Sequence, residues 1–441
     1  MKDMLDRYIE SQEHNIIKDI QTLVRIESVV GNREENRKAL GFVMHKAAQF
    51  GLPGKMSQEE DVVFVQIGSG AEKIGILVHV DVVETGDTGK WTHPPFSGHS
   101  DGTHIWGRGA LDDKGAVIAS LYVLKTLQDL EMPLHKQIWL IVGSGEEGGD
   151  WSDIEHFKRD FGVPDYGFTP DGDFPIYNLE NGYADIELEF TEAQRGDLVH
   201  LLAGDSLNTL PSKAEIQLSG QPLIEFHGLS AHSSTPHLGK NAIEILCRAL
   251  SFRQDLNFVN FIQHHLLGDQ NGSKLGLNPE EESSQPDAQK RKTICVPTVL
   301  KLTEKGVYLN INIRQKYGIT RQEIMNQFES RAQEYGYTFR MAHYLPPLMV
   351  DENHEALQLM KSVYEEYGFK SSFKVGCGTS YAKSMENFVS WGPNFPEDVN
   401  CAHMENEKIS IRSLMTAAKI YTLFLARCAA HPAQARANEE E

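Results

Sequence analysis

The chain has 441 residues, 40% of them hydrophobic, and a formal net charge of −20 from 42 basic and 62 acidic side chains. This length exceeds the size at which a single hydrophobic core stops growing, so two domains are expected. The acidic excess argues against a nucleic-acid partner, because phosphate binding needs a surplus of Lys and Arg on at least one face.

The N-terminal residues and the cysteines indicate the compartment. The first seven residues carry charges where a signal peptide would have its apolar stretch, and no run approaches the roughly 18 apolar residues of a membrane span. The five cysteines are odd in number and lack the short spacings of a zinc ribbon or a redox motif, which favours reduced thiols. We therefore expect a cytoplasmic protein with no membrane partner.

In the first part of the chain, apolar runs alternate with helical patterns, which is typical of a sheet with helices on its faces. The patterns predict strands at residues 62–67, 74–80 and 137–142 and helices at residues 33–50 and 116–127. Ligands of such sheets bind outside the carboxyl ends of the strands. Catalytic residues are therefore expected just after these strands.

From about residue 184 the pattern changes to alternating apolar residues, which indicates half-buried antiparallel strands. Helices are predicted at residues 241–252 and 321–335, and an exposed polar loop at residues 270–273 and 278–286. Helical patterns return after residue 347, with an apolar stripe on the last helix that is expected to pack on the first sheet.

The predicted fold class is therefore α/β, with a catalytic domain built on a mixed sheet flanked by helices and an inserted α+β domain. We assign residues 1–183 and 345–441 to the catalytic, metal-binding domain. Residues 184–344 form the predicted lid and substrate-binding domain. The acidic tail that ends at residue 441 is expected to be solvated.

Three groups of acidic and histidine residues lie where this fold would place chemistry. His79 and Asp81 are two residues apart at a strand end, so they share a face, although an ordinary surface pair has the same spacing. Asp112 and its neighbour Asp113 precede a helix, where one of them could simply cap free amides. The pair of glutamates at residues 146–147 follows a buried strand and would repel unless cations or protons intervened.

Taken together with segments further along the chain, these groups resemble the motifs of the M20 metallopeptidase family, most of all its PepV-type dipeptidases. The matching segments, in order, are HVDVV at residues 79–83, GRGALDDKG at 107–115, GEEG at 145–148, TPDG at 169–172, GLSAHSSTP at 228–236 and AHMENE at 402–407. The resemblance spans nearly the whole chain.

The resemblance implies two divalent metal ions, with zinc as the default and manganese or cobalt as alternatives. Glu146 is then the general base, and Asp81 supports a ligand or touches the base. The implied metal ligands are His79, Asp112, Glu147, Asp171 and His403, with Asp112 bridging both ions.

Within the inserted domain, the resemblance implies three residues that meet the substrate. His232 would reach the oxyanion of the tetrahedral intermediate. Arg314 would bind the terminal carboxylate of the substrate through two parallel hydrogen bonds. Asn208 would make a further polar contact.

One segment departs from the PepV-like pattern. Where that pattern has G-G-G-T-Y, the chain has CGTSY at residues 377–381, so Cys377 and Thr379 replace glycines. If this loop meets the substrate backbone, Gly378 and Ser380 are substrate contacts, and the two larger side chains narrow the pocket or change which residues fit.

The leading functional hypothesis is hydrolysis of short peptides, most of all dipeptides, by metal-activated water with a Glu general base. An N-acyl amino acid deacylase, including desuccinylase-like activity, is the alternative, because every such amide presents the same carbonyl. A non-catalytic binding protein on the same fold is the third hypothesis. The expected partner is a short peptide, and the chain is expected to be a monomer or a homodimer.

Overall fold

The computed structural model describes residues 1–191, 196–278, 292–376 and 378–430. Most of the second part of the predicted polar loop, Cys377 and the acidic tail lie outside the described residues. The chain divides into two compact units. Unit 1 comprises Met1–Asn178, Val350–Lys374 and Ser380–Glu441, and unit 2 comprises Leu179–Met349 and Val375–Thr379.

The first part of the chain alternates helices and strands. In order, these are α1 (Lys2–Ser11), α2 (Glu13–Val24), α3 (Arg33–Gln49), β1 (Gly54–Met56), β2 (Val63–Gly68), β3 (Lys73–His79), β4 (His99–Ser100), β5 (His104–Trp106), α4 (Lys114–Asp129), β6 (Gln137–Gly143), α5 (Ser152–Phe161), β7 (Tyr166–Thr169) and β8 (Ile176–Glu180).

The middle of the chain is rich in strands. It contains β9 (Tyr183–Thr191), β10 (Leu198–Ala203), β11 (Thr209–Leu210), β12 (Lys213–Leu218), β13 (Ile224–His227), β14 (Ala231–His232), α6 (Ala242–Ala249), α7 (Asn257–His265), β15 (Ile294–Thr303), β16 (Gly306–Arg314), α8 (Arg321–Tyr335), β17 (Tyr337–Leu345) and β18 (Leu348–Met349). The last part contains α9 (Glu355–Glu366), β19 (Phe373–Gly376), β20 (Phe388–Trp391), β21 (Lys408–Ser410) and α10 (Ile411–Ala429).

Unit 1 is built on a mixed sheet in which the strands follow the order β1, β2, β6, β3, β7, β20 and β8. The central strands β6, β3, β7 and β20 run parallel, whereas β2 is antiparallel to β6. Helix α4 is buried along most of its length and packs against α10, which also contacts β6. The predicted mixed sheet flanked by helices is thus confirmed.

The parallel pairing aligns the ends of the central strands. His79, the last residue of β3, is paired with Gly143, the last residue of β6, and Ile76 of β3 is paired with Phe168 near the end of β7. The segments that follow these three strands therefore leave the sheet at the same edge, where the sequence predicts the catalytic residues.

Unit 2 contains an antiparallel sheet in which the strands follow the order β13, β12, β10, β15, β16, β9 and β17. Alternate residues of β9, including Ile186, Leu188 and Phe190, belong to a buried cluster that also takes in residues of α6, α7 and α8. The sheet therefore has one apolar face, as the alternating sequence pattern predicts.

The longer segment of unit 2, Leu179–Met349, is flanked by two adjoining residues of unit 1. Val350 N–H donates to the carbonyl oxygen of Asn178 at 2.8 Å, and Asn178 Nδ2 donates to the carbonyl oxygen of Val350 at 2.9 Å. Both residues belong to unit 1, so the long insertion of unit 2 begins and ends at one hydrogen-bonded pair.

Several sequence-based boundaries are wrong. Helix α4 begins at Lys114 rather than at residue 116, and the helix predicted at residues 241–252 ends at Ala249, where a turn closed by Arg253 N–H and Leu250 O follows. Helix α7 was not predicted. The loop at residues 270–273 is not fully exposed, because Gly272 is buried and Gln270 O accepts a hydrogen bond from a residue of β15.

In the part of the chain that the structure describes, no helix is both long enough and apolar enough to cross a bilayer.

Candidate metal centre

A first cluster of ligand-type atoms lies at the carboxyl end of the unit 1 sheet. His79 ends β3 and is buried, with its Nε2 atom 3.0 Å from Asp112 Oδ1 and 3.7 Å from Asp171 Oδ2. Asp171 follows β7, and Asp112 lies two residues before α4. The three side chains can therefore offer one nitrogen and two oxygens to a single ion.

A second cluster shares one residue with the first. His403 Nε2 lies 3.1 Å from Asp112 Oδ2 and 3.0 Å from Glu147 Oε1. Asp112 thus directs Oδ1 toward His79 and Oδ2 toward His403. One carboxylate oxygen is available to each cluster, which is the arrangement that a bridging ligand needs.

The distances within the clusters suit divalent cations. Ligand atoms bound tetrahedrally at ~2.0–2.2 Å lie about 3.3–3.6 Å apart, and the His79 distances of 3.0 and 3.7 Å bracket this range. His79 Nε2 is buried and faces these carboxylate oxygens without a hydrogen bond of good geometry, as expected for an imidazole aimed at an ion. Imidazole nitrogen and carboxylate oxygen are ligands of zinc, manganese and cobalt.

The electrostatics of the clusters also favour added positive charge. Burial and the charge of Asp112 raise the pKa of Glu147 to about 7, and the same two causes raise the pKa of Asp171. Burial, followed by the charges of Asp171 and Glu147, raises the pKa of Glu146 well above its usual value. Carboxylates that are this crowded must take up protons or cations, so the residues present fit two divalent ions.

The two aspartates before α4 do not act as helix caps. Asp113 occupies the N-cap position, yet its side chain makes no capping hydrogen bond, and its Oδ2 atom accepts from His79 N–H at 3.3 Å. Asp112 lies in both ligand clusters. The capping alternative that the sequence left open is therefore wrong for both residues.

Asp81 connects the first cluster to the glutamate pair. Its buried carboxylate accepts hydrogen bonds from Glu146 N–H at 3.3 Å and from Glu147 N–H at 2.9 Å. His79 Nδ1 lies 3.0 Å from the carbonyl oxygen of Asp81 and 3.5 Å from its Oδ1 atom. Asp81 therefore lies against both the histidine and the backbone of the glutamates.

A buried ion pair that sequence reasoning missed supports Asp112. Glu407 Oε1 accepts from the backbone N–H groups of Leu111 at 3.0 Å and Asp112 at 3.2 Å, and its Oε2 atom pairs with Arg108 Nη1 at 2.5 Å. Both charged residues lie inside segments that match the family pattern, at 107–115 and 402–407. That match was the only available signal, because their separation of 299 residues leaves no local pattern.

Unit 2 brings two of the predicted substrate contacts together. His232 in β14 is paired with Thr209 in β11, and Ser233 N–H donates to the carbonyl oxygen of Asn208 at 2.8 Å. His232 Nδ1 accepts from Ser234 N–H at 3.2 Å and lies 2.6 Å from Ser234 Oγ, so Nε2 is the donor nitrogen of the ring. His232 is exposed and presents a donor nitrogen at that position.

Arg314, at the end of β16, is buried and held from several sides within unit 2. Its Cζ atom lies 4.5 Å from the ring centroid of Tyr183, and its Nε atom donates to Asn312 Oδ1 at 3.3 Å. Its Nη2 atom lies 3.5 Å from Ser233 Oγ, next to His232. These contacts hold the guanidinium group within unit 2.

The altered loop is divided between the units. Gly378 is exposed in unit 2, with open space where a Cβ would stand, and Ser380 is buried in unit 1. Cys377 lies outside the described residues, so the predicted narrowing of the pocket by Cys377 and Thr379 stays a prediction.

Comparison with known proteins gives a consistent result. The model of "Peptidase family M20/M25/M40" matches residues 75–427. A Bacillus subtilis (strain 168) protein named "Putative dipeptidase YtjP" is 30% identical over 460 residues, which cover 93% of this chain and 96% of the relative.

Solved structures share the fold at low identity. Human carnosine dipeptidase 1 superposes with a TM-score of 0.64 at 14% identity and covers 97% of this chain and 98% of its own. Bacillus subtilis YXEP, described as a dinuclear metal binding peptidase from the M20 family, superposes with a TM-score of 0.57 at 12% identity, covering 95% and 99% of the two chains.

Proposed function

The chain belongs to peptidase family M20/M25/M40, a family of hydrolases, and we propose that it is a dinuclear metal-dependent enzyme that hydrolyses dipeptides. The observation that carries this proposal is the division of Asp112 between two ligand clusters, with one carboxylate oxygen facing each histidine. We assign His79 and Asp171 to one ion, Glu147 and His403 to the other, and Asp112 to both.

Glu146 is the proposed general base. When bound, the two ions would polarise the scissile carbonyl and lower the pKa of the attacking water toward neutrality. Glu146 takes a proton from that water and gives it to the leaving amine, so one carboxylate serves as base and then as acid. The backbone hydrogen bonds from Glu146 and Glu147 to Asp81 support this role, because they fix the segment that carries the base.

Unit 2 is the proposed substrate-binding lid. His232 would donate from Nε2 to the developing oxyanion, a contact worth roughly 3–4 kcal/mol of barrier. Arg314 would bind the terminal carboxylate of the substrate, and its contacts with Tyr183 and Asn312 support the proposal by orienting the guanidinium in advance. Asn208, Gly378 and Ser380 remain proposed contacts.

Two observations support dipeptides as substrates. The Bacillus subtilis relative of similar length carries the name "Putative dipeptidase YtjP", and the buried Arg314 is suited to a free carboxylate. We also propose a cytoplasmic location. It is supported by Cys247, Cys295, Cys401 and Cys428, which are buried and form no disulfide among the described residues.

The proposal is tested by loading the metal-stripped protein separately with zinc, manganese and cobalt. Each form is assayed by mass spectrometry against dipeptides, β-alanyl dipeptides, tripeptides and N-acyl amino acids. Metal-dependent cleavage of dipeptides is expected, and the most active form identifies the working ion. Cleavage of N-acyl amino acids alone would show a deacylase, and binding without cleavage in every form would show a non-catalytic protein.

A further inference from the structure

We propose that Tyr381 and Asp153 are positioning residues that hold Glu146 where it can transfer the proton. The inference rests on the proposed function, because it takes Glu146 as the general base. Neither residue belongs to the metal clusters or to the predicted contacts with substrate, and both lie in unit 1.

Every backbone N–H group from Ser144 to Glu147 donates a hydrogen bond to a side-chain oxygen. This segment lies in the connection between β6 and α5. Loop amides on a protein surface are usually satisfied by water, whereas these are satisfied by three buried side chains. Ser144 N–H donates to Asp153 Oδ2 at 2.8 Å, Gly145 N–H to Tyr381 Oη at 3.1 Å, Glu146 N–H to Asp81 Oδ1 at 3.3 Å and Glu147 N–H to Asp81 Oδ2 at 2.9 Å.

The Tyr381 hydroxyl is the link between two of these contacts. It donates to Asp153 Oδ2 at 2.5 Å while it accepts from Gly145 N–H at 3.1 Å. Asp153 is held in turn by its own helix, because its Oδ1 atom accepts from Ile154 N–H at 2.8 Å. The loop is therefore bonded through Tyr381 to the start of α5.

Trp151 connects Tyr381 to the backbone of Glu146. Tyr381 packs edge-on against His79 at 6.0 Å and against Trp151 at 5.7 Å between ring centroids. The indole N–H of Trp151 donates to the carbonyl oxygen of Glu146 at 3.1 Å. The N–H and C=O groups of Glu146 are thus both bonded to side chains, Asp81 and Trp151, that leave its carboxylate for chemistry.

The glycines of the segment permit this close approach. A Cβ atom at Gly143 would lie 2.5 Å from Asp153 Oδ2 and 2.7 Å from Tyr381 Oη, and one at Gly145 would lie 3.0 Å from Asp153 Oδ1. Any larger residue would force the carboxylate and the hydroxyl away from the amides that they bind.

The burial of the Tyr381 hydroxyl and the Asp153 carboxylate needs an explanation. Burying a hydroxyl and a carboxylate costs free energy that hydrogen bonds only partly return. A general base that is misplaced by about 1 Å can lose on the order of a hundredfold in rate. Positioning the loop next to Glu146 explains why these two polar groups are buried here, whereas packing alone would not require them.

The test replaces only the hydroxyl, with Tyr381→Phe in the full-length, metal-loaded protein. We expect kcat for a dipeptide to fall by about 10–100-fold, with KM changed by less than about twofold and two ions per chain retained. Asp153→Asn, the second variant, should give the same pattern with a smaller loss, because an amide oxygen in place of Oδ2 can still accept from Ser144 N–H and Tyr381 while the hydrogen bond from Ile154 N–H is lost.

A matched control comes from another buried tyrosine. Tyr421 donates its hydroxyl hydrogen to the carbonyl oxygen of Trp391 at 2.8 Å, and its ring packs against those of Phe168 and Trp391. Tyr421→Phe also removes one buried hydroxyl, so it should cost stability while leaving kcat within about twofold of the wild type.

Hydrogen–deuterium exchange gives a measurement that does not depend on substrate. In Tyr381→Phe, the amides from Ser144 to Glu147 should exchange at least about tenfold faster than in the wild type, and in Tyr421→Phe they should not change. Unchanged exchange, unchanged kcat, or a loss of ions that accounts for the loss of kcat would each overturn the positioning role.

The outcome for the proposed function is separate. A wild type that hydrolyses none of the tested amides would overturn the proposed function and the positioning of a base with it. If the wild type is active and Tyr381→Phe has the same kcat, only the positioning role is overturned.

Discussion

Buried carboxylates have different surroundings in the two units. In unit 1, Asp112, Glu147 and Asp171 crowd around two imidazoles, and burial with mutual repulsion raises the pKa values of the last two. In unit 2, the buried carboxylate of Asp185 accepts from Asn312 Nδ2 at 2.9 Å and Asn310 Nδ2 at 3.3 Å.

The difference shows what each site still needs. The Asp185 carboxylate receives its hydrogen bonds from donors of unit 2, and Asn312 also accepts from Arg314 Nε at 3.3 Å. The clusters of unit 1 instead offer carboxylate and imidazole atoms that could hold cations, which would offset the repulsion between the carboxylates.

Breaking the shared ligand should have the largest effect. Asp112→Asn removes the charge of the carboxylate that faces both clusters, so both ions should be lost and dipeptide hydrolysis should become undetectable. Metal analysis by mass spectrometry and an activity assay measure the two losses. Asp101→Asn, at an exposed acid outside the clusters, should keep both ions, and retention of two ions by Asp112→Asn would contradict the assignment.

Replacing the proposed base should separate metal binding from chemistry. Glu146→Gln keeps the size of the side chain but cannot take a proton, so kcat should fall by about 10²–10⁴-fold while both ions remain bound. Steady-state kinetics and metal analysis of one preparation provide the comparison, with the exposed Glu155→Gln as control. Equal loss of metal and activity would instead make Glu146 a ligand.

Changing the arginine tests whether unit 2 is built for an anion. Arg314→Lys keeps the charge but loses the paired donors, so KM for a dipeptide should rise by about 10–150-fold. For the same dipeptide with an amidated carboxyl end, the substitution should change KM little, because this substrate has no carboxylate for the arginine to bind. Arg340→Lys, at an exposed arginine of unit 2, is the matched control, and an equal loss for both substrates would remove the carboxylate role.

The smallest effect on activity is expected for a substitution in unit 2 that changes only its stability. Thr320 caps α8 through Glu323 N–H at 3.2 Å, and Glu323 returns a hydrogen bond to Thr320 N–H at 2.7 Å. Thr320→Ala should lower the free energy of unfolding of unit 2 by about 1 kcal/mol and leave kcat unchanged. Chemical denaturation measures the shift, Thr320→Ser should restore most of it, and a fall in kcat would mean that α8 contributes to catalysis.

Elements with strong local signals were predicted best. Helix α8 was predicted at residues 321–335 and runs from Arg321 to Tyr335, because a capping box starts it and Gly336 ends it in the left-handed conformation. The helix predicted at residues 241–252 was too long, since its apolar pattern continues past Ala249 without a strong stop signal.

The site was predictable only in part. His79 and the glutamate pair follow apolar strands, so local patterns placed them at the ends of strands. Asp171 and His403 came only from the resemblance to the family. Tyr381 and its partner Asp153 are 228 residues apart, and a hydrogen bond over such a distance has no sequence periodicity to reveal it.

The hydrogen-bonded pair of Asn178 and Val350 has a consequence for how chains of this kind can diverge. The two ends of the insertion are already held together, so changes in its length add little loop-closure entropy to the folding of unit 1. The segment between these two residues should therefore tolerate changes in length without loss of the unit 1 fold.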